Sequence, residues 1–260
     1  MTERKDNKRI TREPLPEGMI EGRNALTEAL RAGRAIDKLY VASGDTNRSL
    51  NHLVAQAKEA GAVVVRTERA KLDLMSPTGA HQGVIATVAA HDYAKLDDIF
   101  ARAESRGEQP LIVICDELSD PHNLGAIIRS AECAGAHGVI IPKRRSVGLT
   151  AVVSKTSAGA LEYMPVVRVS NIAQTIGELK NRGVWVLGTA ADGNTRLYDA
   201  DLKGAAAIVI GNEGEGMSRL VSACCDYLVS IPMKGQISSL NASAAAAILL
   251  YEAVRQRETR

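Results

Sequence analysis

IPMKGQISSLNASAAAA, residues Ile231–Ala247, is the stretch around which the rest of the chain is organised. It begins where a short apolar strand, Leu228 to Ile231, stops at Pro232, and it turns through Gly235. Ser238, Ser239, Leu240, Asn241 and Ser243 follow, and then an alanine-rich helix. Hydroxyls and amides at a helix entrance cap its free N–H groups, and those N–H groups can also hold a ligand's polar edge. Taken alone, the serines read as an ordinary capped helix. Two further loops change that reading. Gly211–Gly216 (GNEGEG) and Asp120–Gly125 (DPHNLG) are polar, carry glycine and follow apolar strands. Three such loops at the carboxyl ends of strands point to one composite ligand site.

Outward from these loops, six strands are predicted from residue 110 onward: 111–115, 138–141, 166–169, 184–187, 206–210 and 228–231. Helical patterns at 125–134, 149–158, 172–181, 217–223 and 241–256 alternate with them. Near-continuous apolar strands separated by helices predict an α/β fold with a parallel sheet covered on both faces. Upstream, residues 17–90 read as a small α/β domain. It holds a loop followed by an amphipathic helix over 17–33, helices at 50–60 and 71–76, and strands at 38–42, 63–65 and 83–88. Residues 91–109 are charged and helix-compatible and are expected to be the joint, leaving 110–260 as the second domain. Residues 1–16 form a basic arm, with five basic residues against two acidic ones in its first twelve. Such an arm is either a loose phosphate contact or a solvated end. In the last helix, Ala244–Leu250 is small or apolar nearly all round. That pattern requires cover on more than one side, from the interior or from a second subunit.

The bulk composition narrows the function classes. At 260 residues, 45% hydrophobic and 24% charged, the chain is that of a soluble globular protein. Aromatic residues make up only 3%, which argues against a site that stacks bases between rings. The net charge of +2 does not by itself announce a nucleic-acid binder. Four cysteines, Cys115, Cys133, Cys224 and Cys225, form no C-x-x-C pair and have no histidine at finger spacing. They read as reduced core thiols of a cytoplasmic protein. No signal peptide and no membrane span is evident. No metal site is expected.

The familiar nucleotide signatures fail. Gly188–Gly193 (GTAADG) lacks the Lys-Ser/Thr of a P-loop, and neither it nor GNEGEG has G-x-G-x-x-G spacing. No G-x-S-x-G surrounds Ser154 or Ser157, and no H-x-x-x-H holds His122 or His137. A different set of motifs does fit. Asn123-Leu-Gly-Ala-Ile-Ile-Arg129-Ser-Ala-Glu132, with Gly135, Gly138 and Pro142 after it, resembles motif 1 of the SpoU/TrmH branch of the SPOUT methyltransferases. Val209–Gly216 resembles motif 2, and Ile231-Pro-Met through Ser239-Leu-Asn-Ala-Ser243 resembles motif 3. The three occur in the family's order within residues 110–260, and residues 17–90 are similar to its RNA substrate-binding domain.

The resemblance implies more than periodicity can show. It implies a deep trefoil knot, a homodimer, and S-adenosylmethionine held largely by backbone at Thr189, Gly211, Ile231 and Leu240. It implies transfer of a methyl group to a ribose 2′-hydroxyl of RNA, with the two-domain layout favouring a guanosine of 23S rRNA. A tRNA guanosine, an rRNA adenosine and a non-catalytic RNA-binding role are the alternatives. Arg129 is the central catalytic residue on this view, supported by Asn123, Glu213, Ser239 and Asn241. An arginine stays protonated, so its expected role is to bind phosphate and steady a developing alkoxide. Asn123 either orients the substrate or holds the helix entrance as its N-cap, and without the resemblance Arg129 reads as a surface partner of Glu132 at i+3.

Overall fold

A strand that is buried on both faces has no polar side to show, and β5 (Leu111–Cys115) and β10 (Ala206–Ile210) are buried along their whole length. They lie side by side at the centre of the larger of two sheets. The structure, a computed structural model, describes residues 15–45, 47–212 and 214–258. The expected basic arm therefore lies outside the described residues except for Leu15 and Pro16. The chain divides after Ala89 into two units.

The first unit runs β1 (Met19–Glu21), α1 (Arg23–Arg31), β2 (Ile36–Ala42), α2 (Arg48–Glu59), β3 (Val63–Thr67), α3 (Arg69–Met75) and β4 (Val84–Val88). Its four strands form a mixed sheet, β1-β4-β2-β3, with only β2 and β3 parallel. Leu50, Leu53 and Ala57 of α2, at helical spacing, bury against Leu26, Leu39 and Val41. The Asn47 side chain caps α2 by accepting from Ser49 N. Strand β1 lies where the sequence predicts the loop before the first helix. It has three residues, too few to show alternation, and it is defined by its pairing with distant β4, Met19 opposite Thr87.

The second unit continues with α4 (Leu96–Arg106), β5, α5 (Pro121–Cys133), β6 (Gly138–Pro142), α6 (Ala151–Thr156), β7 (Val166–Val169), α7 (Ile172–Asn181), β8 (Trp185–Thr189), β9 (Thr195–Arg196), β10, α8 (Arg219–Cys224), β11 (Tyr227–Ser230) and α9 (Ala242–Glu258). The seven strands, β7-β6-β5-β10-β8-β11-β9, pair in parallel throughout. Parallel pairing sends the loops after β5, β8, β10 and β11 to one edge, where the strand order reverses. At the far end Arg257 fastens α9, its guanidinium donating to the carbonyls of Leu202, Gly204, Gln109 and Pro110. No helix of the described residues is long and apolar enough to cross a membrane.

Two expectations are corrected here. Residues 91–109 are not a joint: Ile99 and Ala103 of α4 are buried in the second unit, and Ile99 lies so close to Gly138 that a Cβ there would meet its Cδ1 at 2.4 Å. The charged outer face of α4 masks that contact in the sequence. Cys133 is not a core thiol but is exposed at the end of α5, whereas Cys115 is buried and burial pushes its thiol up to about 12.

Beneath β5 a buried histidine makes stability depend on pH. His137 Nδ1 accepts from Leu111 N at 3.0 Å, so the neutral ring turns Nε2–H toward Glu108 Oε2, also at 3.0 Å. Burial holds its pKa below the ordinary value, with Glu108 acting in the opposite sense. The folded chain thus binds fewer protons than the unfolded one just below the ordinary histidine pKa. Its contribution to stability is complete above about pH 6.5 and is lost as pH falls from there toward the folded value. Urea midpoints taken at about pH 8 and pH 5.5 should fall further for the natural chain than for His137→Gln. Equal falls would remove His137 from the account.

Candidate active site

At the carboxyl edge of the second sheet the loops enclose a cavity of about 560 Å³. Thr189–Asp192 after β8, the turn from Gly211 to Met217 after β10, and Ile231, Met233 and Ser238–Leu240 after β11 form its walls, with Ala242 and Ala245 of α9 behind them. Thr189, Gly211, Ile231 and Leu240, the four positions expected to hold a cofactor, all line it, and so does Ser239. Thr189 turns its hydroxyl onto the Val209 carbonyl at 2.9 Å, so what it offers the cavity is main chain.

The turn after β10 is built by close backbone approach. Asn212 and Gly216 exchange two main-chain hydrogen bonds, N to O at 2.9 and 2.8 Å, and Gly216 takes a φ of +71°. Gly211 has no room for a side chain: a Cβ would lie 2.3 Å from Gly216 C and Met217 N. Asn212 spans the turn, its Oδ1 accepting from Gly214 N at 2.9 Å and its Nδ2 donating to the Glu117 carbonyl at 3.0 Å. The buried Asp116, at the end of β5, accepts from Ser218 N at 2.7 Å. The loop after β5 is therefore tied to both ends of this turn. Glu213 lies outside the described residues.

Asn123 and Asn241 come together although they are far apart in sequence: Asn241 Nδ2 donates to Asn123 Oδ1 at 2.9 Å. Asn123 is buried and is not the N-cap. That position belongs to Asp120, whose carboxylate accepts from His122 N at 2.9 Å and from Asn123 Nδ2 at 3.2 Å. These two donors hold the Asp120 carboxyl below the ordinary carboxylate range. Asn241 caps α9, its Oδ1 accepting from Ser243 N and Ala244 N at 3.0 and 3.3 Å. Arg129 stands apart from the cavity. It is exposed on α5, about 9 Å along the axis from Asn123 at 1.5 Å per residue. Among the described residues it has no ion-pair partner, Glu132 included.

The lining shows what the cavity suits. Ile210, Leu228, Val229 and Met233 give it apolar surface, and backbone and serines give it polar edges. Its ionisable side chains among the described residues are Asp192 and Glu215, with no Lys, Arg or His. An acidic cavity of this size, walled by backbone, fits a small cationic ligand. S-adenosylmethionine, a sulfonium with a flat base, a diol and an amino-acid tail, meets that description. Asp192, Asn212, Glu215 and Met217 were not singled out from the sequence. Asp192 stands within the quoted GTAADG segment, and Asn212 and Glu215 within GNEGEG. Met217 carried no signal of its own.

A parallel α/β sheet with this cavity at its carboxyl edge is the architecture of an enzyme that binds a small ligand there. Comparison with known proteins makes the class specific. A model of the SpoU rRNA Methylase family matches residues 110–251, and one described as RNA 2′-O ribose methyltransferase substrate binding matches residues 19–94. A Bacillus subtilis protein, YacO, provisionally named a TrmH family tRNA/rRNA methyltransferase, is 49% identical over 92% of this chain and 95% of its own. Among solved structures, the SpoU methyltransferase AviRb of Streptomyces viridochromogenes, crystallised with its cofactor AdoMet, superposes with a TM-score of 0.60 at 29% identity, covering 93% of this chain and 91% of that one. An AdoMet-bound rRNA methyltransferase of Sinorhizobium meliloti gives 0.57 at 25% identity, over 91% and 86%. The chain belongs to the SpoU rRNA methylase family. It is an S-adenosylmethionine-dependent RNA methyltransferase of the SpoU/TrmH type.

Proposed function

We propose that this enzyme methylates a ribose 2′-hydroxyl of RNA, that its target is a guanosine of 23S rRNA, and that it works in the cytoplasm as a homodimer on a trefoil-knotted fold. The observation that carries the reading is the convergence of the loops after β8, β10 and β11 on one acidic cavity, closed where Gly211 meets Gly216, with Asp120–Gly125 outside its lining. The match of residues 19–94 to a 2′-O ribose methyltransferase substrate domain supports the choice of hydroxyl. The apolar strip left exposed on α9, Ile248 and Tyr251, supports a second copy packed there.

When bound, S-adenosylmethionine supplies a methyl group already activated for transfer. The chain's own task is alignment and charge. Main chain at Thr189, Gly211, Ile231 and Leu240 holds the cofactor, and Asp192 and Glu215 favour its positive charge. Asn123, Asn241 and Ser239 shape the place where the ribose enters. Glu213, which lies outside the described residues, is given a supporting role by its motif position rather than that of the base. Arg129 binds the neighbouring phosphate and stabilises negative charge growing on the 2′-oxygen, whose proton leaves to phosphate or water. Because Arg129 stands off the cavity of its own chain, it serves the partner's site.

Ribose-methylation mapping of 23S rRNA and tRNA from cells with and without the gene tests the substrate. One 23S guanosine losing its 2′-O-methyl group is expected. Loss at a tRNA position, which the tRNA/rRNA naming of the relatives keeps in view, would overturn the rRNA target and keep the chemistry. No loss anywhere, in cells without a paralogue, would leave an RNA-binding role.

A further inference from the structure

We propose that Asp120 is a positioning residue. It sets the direction of an amide chain running through Asn123 to Asn241, and so seats the 238–241 wall of the cofactor cavity. The inference rests on reading that cavity as the S-adenosylmethionine site. It starts from hydrogen-bond inventory. An ionised carboxylate only accepts, whereas an asparagine amide donates from one end and accepts at the other. Asp120 Oδ1 takes the His122 N–H, and Oδ2 takes Asn123 Nδ2. Asn123 must then turn its oxygen away, and that oxygen receives Asn241 Nδ2. Asn241 in turn presents its own oxygen to Ser243 N, to Ser243 Oγ at 2.6 Å and to Ala244 N.

The far end imposes the same direction. The first N–H groups of α9 have no partner within the helix and need an acceptor. An acceptor-only group at one end and donor-only groups at the other both favour the same arrangement of the two amides between them. Asn241 is the hinge of this arrangement, because Ser238, Ser239 and Leu240 before it and Ala242 and Ala245 after it all face the cavity. Asp120 itself is not among the lining residues. It acts through Asn123 and Asn241, coupling the helix that carries Arg129 to the loop that walls the cofactor site.

Asp120→Asn separates direction from capping. Asparagine caps a helix as well as aspartate does, so the His122 contact and the thermal midpoint are expected to persist. The amide at 120 can now donate, which allows Asn123 and Asn241 to reverse and leaves the α9 amides facing N–H groups. Calorimetric affinity for S-adenosylmethionine is expected to drop about tenfold, the effect of one misdirected hydrogen bond. Amide hydrogen exchange at Ser243 and Ala244 in the cofactor-free protein is expected to accelerate. The double variant Asp120→Asn/Asn123→Asp restores an acceptor facing Asn241 Nδ2 and should recover both affinity and protection, although not necessarily turnover. Unchanged exchange and affinity in Asp120→Asn would overturn the proposal. So would a loss that the double variant fails to recover and that tracks a fall in thermal midpoint, which would make Asp120 a plain cap. If the natural chain fails to bind S-adenosylmethionine at all, the reading of the cavity falls instead, and the exchange data still decide on the amide chain.

Discussion

Gly211→Ala is expected to weaken S-adenosylmethionine binding by one to two orders of magnitude while leaving the rest of the fold in place. The added methyl carbon would sit 2.3 Å from Gly216 C and Met217 N. Both are backbone atoms, so no side-chain rotation relieves the clash. Strand β10 ends at Ile210 and is clamped between β5 and β8, so it cannot yield. The turn from Asn212 to Met217 must move instead, and it is a wall of the cavity. Overpacking of this kind costs about 1–3 kcal/mol, which spent on the bound geometry gives roughly a tenfold to hundredfold loss of affinity. Gly235→Ala is the control: it lies in the loop after β11, and a Cβ there meets nothing within 4 Å. Its affinity should stay within about twofold of the natural chain, as for exposed substitutions generally. Titration calorimetry with circular dichroism on both variants checks the pair. A Gly211→Ala protein that binds like its parent would show that this turn does not contain the cofactor.

How much of this was legible in the sequence follows from where the information sits. LIVIC at 111–115 and AAIVI at 206–210 announced buried parallel strands because burial on both faces leaves no polar alternation. Strands β1 and β9, of three and two residues, have no pattern of their own and exist only through distant partners. Helix α4 is helix-compatible in the sequence, but its packing is hidden by its charged outer face, since only Ile99 and Ala103 of its eleven residues are buried. At the site, the residues of each loop could be named from motif resemblance, but nothing in periodicity brings Thr189, Gly211, Ile231 and Leu240 to one cavity. That meeting is a product of strand order. Asp120 carried a readable signal, an Asp-Pro pair at a helix start. The motif points three residues later, to Asn123, and of the two roles open to it there the cap belongs to Asp120.

Arg129→Ala carries the other large effect, and its position says how to test it. Removing one group that stabilises charge in a transition state lowers kcat by about 10²–10³, and cofactor affinity should be nearly unchanged because Arg129 does not line the cavity of its own chain. Single-turnover methylation and calorimetry on the same preparation separate the two. Unchanged turnover would remove Arg129 from the catalytic centre. The exposed guanidinium about 9 Å along α5 from Asn123 further predicts that it reaches the partner's site. A mixture of Arg129→Ala and Gly211→Ala subunits decides this, assayed at an S-adenosylmethionine concentration that fills the natural cavity but leaves the Gly211→Ala cavity largely empty, so that each variant alone turns over poorly. In a mixed dimer the Arg129→Ala chain provides an intact cofactor cavity and the Gly211→Ala chain provides the arginine, so one site of two is whole. With random re-association half the dimers are mixed, and about one quarter of full turnover should return, as two-fold symmetry requires. No recovery from subunits shown to exchange would place the arginine's work within a single chain, and the cavity and α5 would then have to approach each other during turnover.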